Sequence, residues 1–244
     1  MTSSITDAPA SPAGRSYVPA GLASAVYTAL GTVRDPELDE PITTLGFVAS
    51  CTVSQDGQAQ VRLRLPTYFC APNFAFLMVA DAYDAVTAVP GIAAAEVILD
   101  DHFASDAINA GVAARAGFVA SFDGEATDEL DDLRATFLRK AVLAGTDLVC
   151  RPLVAEGLTP AELAALTLGA TPASPELDRL RQRRRDLALP ADDTSFLLLD
   201  PATGKRIPES SVPLHLRRAR LTRTGIDANT SICSGMLKAR YQTT

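Results

Sequence analysis

The sequence predicts an α+β protein: a small α-β-β-α-β module with a mixed three-stranded sheet, followed by a mostly helical extension. Three observations lead to this fold class. Apolar residues at helical spacing precede two segments of alternating apolar and polar residues. A second helical segment and a third strand-like segment follow them. Beyond residue 104, helix-capping signals and charged helical patterns predominate.

The first helix and the hairpin follow from the apolar periodicity. Four apolar residues recur at spacings of four, four and three, on one helical face: Leu22, Val26, Leu30 and Val33. The acidic segment 34–46 (RDPELDEPITTLG) contains two prolines and predicts a loop. Two alternating segments, 47–53 and 58–65, are joined by the turn residues QDG at 55–57. Cys51 falls on the apolar face of the first strand, which favours a core position.

A second helix and a third strand complete the predicted module. Segment 73–89 has helical apolar spacing, Asn73 is placed to cap its start, and Pro90-Gly91 ends it. Segment 92–99 (IAAAEVIL) then predicts a third strand.

The predicted organisation has three parts: a disordered tail over 1–17, the α/β module over 18–104, and a helical partner-docking extension over 105–244. The tail is rich in Ser, Ala and Pro, and it lacks the apolar run of a signal peptide. Helix starts are predicted at Thr127, at Thr159 (a capping box with Glu162) and at Ser174. Segment 195–208 predicts a strand followed by a turn.

The charge is distributed unevenly along the chain. The net charge is −7, but residues 1–130 carry −11 and residues 131–244 carry +4, which predicts two different surfaces. The basic segments 179–185 and 217–223 are interleaved with leucines rather than stacking aromatics, so a solvated or protein-docking face is favoured over nucleic-acid binding. No apolar run reaches the roughly 20 residues of a membrane span, and a cytoplasmic protein is expected.

Four cysteines are spread widely along the chain: Cys51, Cys70, Cys150 and Cys233. This spacing excludes a Cys-x-x-Cys zinc knuckle, and without a secretion signal disulfides are not expected. A core or incidental role is favoured for Cys150 and Cys233.

Cys70 lies between a predicted strand and turn and the start of the second helix. The positive end of the helix dipole would stabilise its thiolate, which is the nucleophilic and metal-binding form. The alternative is a small buried residue, as most free cysteines are. The acidic loop 35–40 could lie at the same end of the sheet. His102, near Asp100, Asp101 and Asp106, could be an iron or proton site, although a solvated strand end is favoured.

Three segments resemble, in order and spacing, the PaaD/SufT-like family of iron–sulfur cluster assembly proteins: TVRDPELDEPITTLGFVASCTV at 32–53, VRLRLPTYFC at 61–70 and VPGIAAAEVIL at 89–99. The resemblance covers about residues 20–104. It implies that Cys70 handles iron–sulfur clusters or iron as a transient ligand. It also implies supporting roles for Thr67, the acidic pair Asp35 and Glu37, and Gly46.

The resemblance indicates an assembly or maturation factor with no catalytic residue rather than an enzyme. The extension would dock a client, which would be an iron–sulfur protein or a bacterial multicomponent oxygenase. One thiolate cannot saturate a cluster, so a homodimer, a client cysteine or a small thiol must supply the other ligands. Two alternatives stay open: a structural oxygenase subunit or scaffold with Cys70 buried, and a thiol enzyme, which is disfavoured because no histidine is near Cys70 in sequence.

Overall fold

The computed structural model describes residues 20–122, 126 and 128–241. The predicted tail and the predicted helix cap at Thr127 lie outside these residues. Among the residues described, no helix is both long enough and apolar enough to cross a membrane.

The predicted α+β fold is confirmed. The module consists of α1 (Ala20–Leu30), β1 (Val48–Val53), β2 (Gln58–Arg64), α2 (Pro72–Thr87) and β3 (Ala94–Asp100). The sheet has the order β1-β2-β3, with β1 antiparallel and β3 parallel to the central strand, so it is mixed as predicted. Helix α2 forms the crossover that a parallel pair requires.

Two local predictions in the module are wrong. The pairing register of β1 shifts between Val48 and Ser50, so the alternation breaks there: Ala49 is exposed, and Cys51 is half-buried against the core rather than buried in it. Helix α2 begins at Pro72, with Ala71 as its N-cap, because proline needs no amide partner in the first turn. Asn73 therefore does not cap the helix; its Oδ1 accepts from the Phe74 amide at 2.9 Å inside the first turn.

The remaining chain is mostly helical, as predicted. Its helices are α3 (Ser105–Ala113), α4 (Phe118–Ser121), α5 (Asp131–Ala155), α6 (Pro160–Ala165), α7 (Pro175–Asp186) and α8 (Val212–Tyr241). The capping box at Thr159 is formed, and the Ser174 hydroxyl accepts from the Leu177 amide at 3.1 Å. Segment 195–208 is not a strand; it makes only isolated bridges, one through Phe196 and one through Leu199.

Two clusters of buried apolar side chains form the interior. The first lies between the sheet, α1 and α2, and it also includes Ile108 and Val112 of α3 and Leu237 of α8. The second lies between α5, α6, α7 and the start of α8. Arg184 is fully buried beside it and donates to the carbonyl oxygens of Phe196 and Leu197, and burial lowers its pKa to about 10. These bonds hold segment 195–208 without strand pairing.

Arginines of the extension pair with acidic residues of the module. Arg183 of α7 contacts Asp39 at 2.6 Å, and Arg179 lies 3.5 Å from Glu40. Arg134 of α5 makes two bonds to Asp81, at 2.7 and 2.8 Å. The opposite charges of the two parts therefore meet within the chain, and the basic segment 179–185 docks on the module.

The Arg183–Asp39 pair is the most deeply buried of these contacts, with side-chain exposures of 5% and 20%. Asp39→Asn should lower the free energy of unfolding by about 3 kcal/mol, because it leaves the Arg183 charge buried without its partner. Asn also tolerates the left-handed backbone of Asp39 (φ 53°), so the substitution should add no strain there. Urea denaturation measures the effect.

Asp193→Asn is the matched control. It makes the same chemical change opposite Arg181 of the same helix, but the Asp193 side chain is 79% exposed. Its cost should stay below about 1 kcal/mol. Equal losses in the two variants would contradict a special role for the buried pair.

Candidate functional site

Three loops meet at one end of the sheet. Strands β2 and β3 are parallel and both end there, whereas the antiparallel β1 begins there. The loops are residues 34–47 before β1, 65–71 after β2 and 101–104 after β3. Backbone bonds join them: the Arg64 amide donates to the Phe47 carbonyl at 2.8 Å, and the Phe103 amide to the Tyr68 carbonyl at 3.1 Å.

Cys70 lies in the second of these loops, two residues before α2, and it is half-buried. The Thr67 hydroxyl oxygen is 3.4 Å from the Cys70 sulfur and accepts from the Phe69 amide at 3.2 Å. Either group can donate while Cys70 is a thiol, but a Cys70 thiolate can only accept from the Thr67 hydroxyl. A hydrogen bond of this kind stabilises a thiolate. The structure thus brings Thr67 and Cys70 together.

His102 holds the backbone of Cys70. Its Nδ1 accepts from the Ala104 amide at 3.2 Å, so Nε2 carries the proton and donates to the Cys70 carbonyl at 2.7 Å. Burial, chiefly, lowers the pKa of His102, which favours the neutral ring. The prediction that His102 lies at a solvated strand end is wrong, because the residue is only 2% exposed. The left-handed backbone at Asp101 (φ 51°) turns the chain just before it.

Asp35 closes the acidic loop from within. Its Oδ1 accepts from the amides of Glu37 and Leu38 at 2.8 and 2.9 Å, and the residue is 8% exposed. Burial raises the pKa of Asp35, the neighbouring Glu37 raises it further, and the two amide bonds oppose this change. Glu37 instead points to the extension, where its Oε1 accepts from Asn229 at 3.2 Å.

Gly46 permits a turn and a close helix contact. Its φ of +75° lies in the left-handed region that favours glycine, and its carbonyl accepts from the Arg64 side chain at 3.3 Å. A Cβ at this position would lie 3.3 Å from a methyl group of Leu237 in α8. The glycine therefore lets α8 approach this loop.

The last part of α8 lies over the site. Arg240 donates to the Leu65 carbonyl at 3.1 Å and pairs with Asp101 at 2.5 Å. Cys233 is half-buried on the same helix, and its pKa is raised by burial, then by the charges of Asp35, Cys70 and Glu37. Sequence reasoning missed this residue, because nothing local in α8 shows that it packs against the first core near charged groups of the module.

Exposed aromatic side chains lie on the loop of Cys70 and on the neighbouring loop of His102. Tyr68, Phe69 and Phe103, here called the aromatic rim, have ring centroids 5.0 to 6.3 Å apart. Phe69 is 77% exposed. An apolar patch beside a half-buried thiol is typical of a surface that a partner covers.

The described residues contain no group of three or more His, Cys, Asp or Glu side chains arranged to hold a metal ion. Cys150 belongs to the second core rather than to this site. It is buried there, and burial raises its pKa to about 12. A cluster or iron ion at Cys70 would therefore need ligands beyond a ready-made set.

Residues 23–98 match the family model of iron-sulfur cluster assembly proteins. The chain is 42% identical over 81 residues to the iron-sulfur cluster carrier protein of Mycobacterium leprae (33% of this chain, 21% of the relative). It is 40% identical over 79 residues to the proteins of that name from Mycobacterium bovis and Mycobacterium tuberculosis (32% of this chain, 20% of each relative). No solved structure matches the chain.

The chain thus spans about a fifth of the length of the curated relatives it matches. The predicted resemblance to iron–sulfur cluster assembly proteins is confirmed over residues 23–98. Asp35, Glu37, Gly46, Thr67 and Cys70 all lie inside the matched segment, whereas His102 and Cys233 lie outside it.

The hydroxyl of Thr67 should control the reactivity of Cys70. Thr67→Val removes the hydrogen bond to sulfur and should slow alkylation of Cys70 at neutral pH. The rate should fall by about two- to tenfold, which corresponds to the free energy of one weak hydrogen bond. Mass spectrometry of each cysteine after a timed pulse of iodoacetamide measures the rate. Thr67→Ser keeps the hydroxyl and should retain the rate; equal slowing in both variants would contradict this role.

The burial of His102 predicts an acid-sensitive fold. Its pKa is lowered in the folded state, so the unfolded chain binds the proton more readily, and stability is lost as pH falls below the ordinary value of about 6.5. The free energy of unfolding should decline more steeply from pH 7 to pH 5 in the wild type than in His102→Gln. Glutamine keeps a donor for the Cys70 carbonyl but does not titrate.

Asp35 titrates in both proteins, and so does His215, a buried residue of α8 whose pKa is also lowered by burial. The difference between the two curves therefore isolates His102. Urea denaturation at each pH provides the measurement. Parallel curves for the wild type and His102→Gln would show that His102 titrates alike in the folded and unfolded chains.

Proposed function

With residues 23–98 matched to iron–sulfur cluster assembly proteins, we propose that this protein holds iron–sulfur clusters, or iron for them, transiently on Cys70 and passes them to client proteins. The observation that carries the proposal is the Cys70 loop: a half-buried thiol with the Thr67 hydroxyl 3.4 Å from its sulfur, inside the matched segment. The relatives' name, iron-sulfur cluster carrier protein, supports the same role.

Each residue of the site has a separate role in this proposal. Thiolates are the ligands that iron–sulfur clusters prefer, and Cys70 supplies one of them. Thr67 stabilises the anion, His102 fixes the carbonyl of Cys70, and Asp35 holds the neighbouring loop. Attachment through few protein ligands suits a cargo that must leave again. No turnover of a small substrate is assigned.

The client would cover the aromatic rim during transfer, because Tyr68, Phe69 and Phe103 flank Cys70. We assign client choice to the extension, since the family match ends at residue 98 and α8 lies beside the site. A bacterial multicomponent oxygenase is the proposed client, and the reducing cytoplasm, which keeps Cys70 a free thiol, the proposed location. A second copy of the chain is one source of further ligands.

The close contacts of α8 with Glu37 and Gly46 favour a second candidate, a structural scaffold of an oxygenase complex. In that case the loop keeps the family fold without carrying a cluster. Cys70 separates the two candidates, because only the carrier needs its sulfur.

Anaerobic reconstitution with ferrous iron and sulfide should give visible charge-transfer absorption in the wild type. Cys70→Ser should lose most of it, because a serine hydroxyl is not ionised at neutral pH and does not replace a thiolate. Cys51→Ser is the control, since Cys51 lies in β1 and should not contribute. Iron and sulfide content, measured beside the spectrum, excludes unbound precipitate.

A second variant, Cys70→Ala, distinguishes the two candidates in cells. Co-expression with the client oxygenase should give less active oxygenase with Cys70→Ala than with the wild type. Equal activation by both proteins would decide for the scaffold and against the carrier.

A further inference from the structure

We propose that Cys233 of α8 is the second thiolate of the site, so that Cys70 and Cys233 together bind one thiophilic metal ion. We identify this ion as the iron of the transferred cargo, and that identification rests on the proposed function. The pairing of the two thiols itself rests on the geometry of α8, which lies outside the matched segment.

The register of α8 points residue 233 at the module. Asn229 donates to Glu37 at 3.2 Å, and Leu237 is buried in the first core beside Gly46. Both residues are four positions from Cys233, so all three lie on one face of the helix. Cys233 is about 6 Å along the helix axis from each of them. It is consequently held between two fixed contacts.

Cys70 and Cys233 both pack against the first core, and both are half-buried. Neither has a disulfide partner in the described part of the chain. The two thiols border this core from different elements, one from the loop before α2 and one from α8, and the charge of Cys70 is among those that act on Cys233.

The charges around Cys233 favour a bound cation. Burial raises the pKa of Cys233, and the nearby groups of Asp35, Cys70 and Glu37, which are neutral or negative, raise it further. Loss of the thiol proton would put a negative charge beside these groups, and a bound cation would relieve the resulting repulsion. Two sulfur donors select a soft or borderline ion such as iron over calcium or magnesium.

A pair of thiolates also fits the chemistry of the cargo. The two irons of a [2Fe–2S] cluster are held by four cysteines, two on each iron. Cys70 and Cys233 would supply the share of one iron, and a client or a second copy would supply the other. The extension then contributes a ligand as well as a contact surface.

Phenylarsine oxide tests the pair without iron. Its arsenic(III) condenses with two thiols to form two As–S bonds, the oxide oxygen leaves as water with both thiol protons, and no oxidation state changes. The reduced full-length protein should gain one phenylarsenic unit in its intact mass. Cys70 and Cys233 should both become protected from iodoacetamide, as mapped by peptide mass spectrometry.

Cys70→Ser and Cys233→Ser should each lose this adduct, and Cys51→Ser should keep it. Cys233→Ala serves as a second variant, and circular dichroism confirms that each protein is folded. A wild-type protein in which Cys233 remains open to alkylation, or in which arsenic bridges another pair, would overturn the inference.

Iron reconstitution then separates this inference from the proposed function. Both stand if Cys233→Ser binds no more than about half the iron of the wild type, as loss of one of two thiolates implies. If Cys70→Ser loses the colour but Cys233→Ser keeps all of it, the result supports the carrier function and contradicts the role of Cys233 as a second ligand. If the wild type stays colourless yet arsenic bridges Cys70 and Cys233, the result supports the paired-thiol site and contradicts iron as its cargo.

Discussion

The buried ion pair between Arg183 and Asp39 joins the two parts of the chain at the loop on which the site depends. Asp35 holds that loop from within through two backbone amides, and Arg183 holds it from the helical side. A buried guanidinium is stable only with a partner that compensates its lost hydration. Helix α7 is therefore fixed against the module, while α5 and α8, which pack with it around the second core, have contacts of their own with the module through Arg134 and Leu237.

Much of the module could be predicted because its signals are local. Alternation defined β2, the turn at 55–57 defined the hairpin, and the strand-turn-helix order placed Cys70 before α2. The prediction failed where neighbours decide the conformation. The shift in β1 moves Ala49 outward, and Arg184 satisfies carbonyls of segment 195–208 that a strand would otherwise pair.

Helix α8 shows why the extension was harder to predict. Its beginning packs on the second core through Val212, whereas its end packs on the first core through Leu237. A helix that serves two cores has no single apolar stripe along its length, so periodicity does not reveal it. The family resemblance pointed to Cys70, Thr67, Asp35 and Glu37 as candidates. It did not point to His102 or Cys233, whose contacts are set only by the tertiary fold.

The place of Leu237 in the first core also orders events during synthesis. The chain leaves the ribosome from its N-terminus, so the sheet and α2 exist long before residue 237 is made. Until then the surface that Leu237 covers beside Gly46 faces water. The loops around Cys70 acquire their full set of contacts only after the helical part has been translated and folded back.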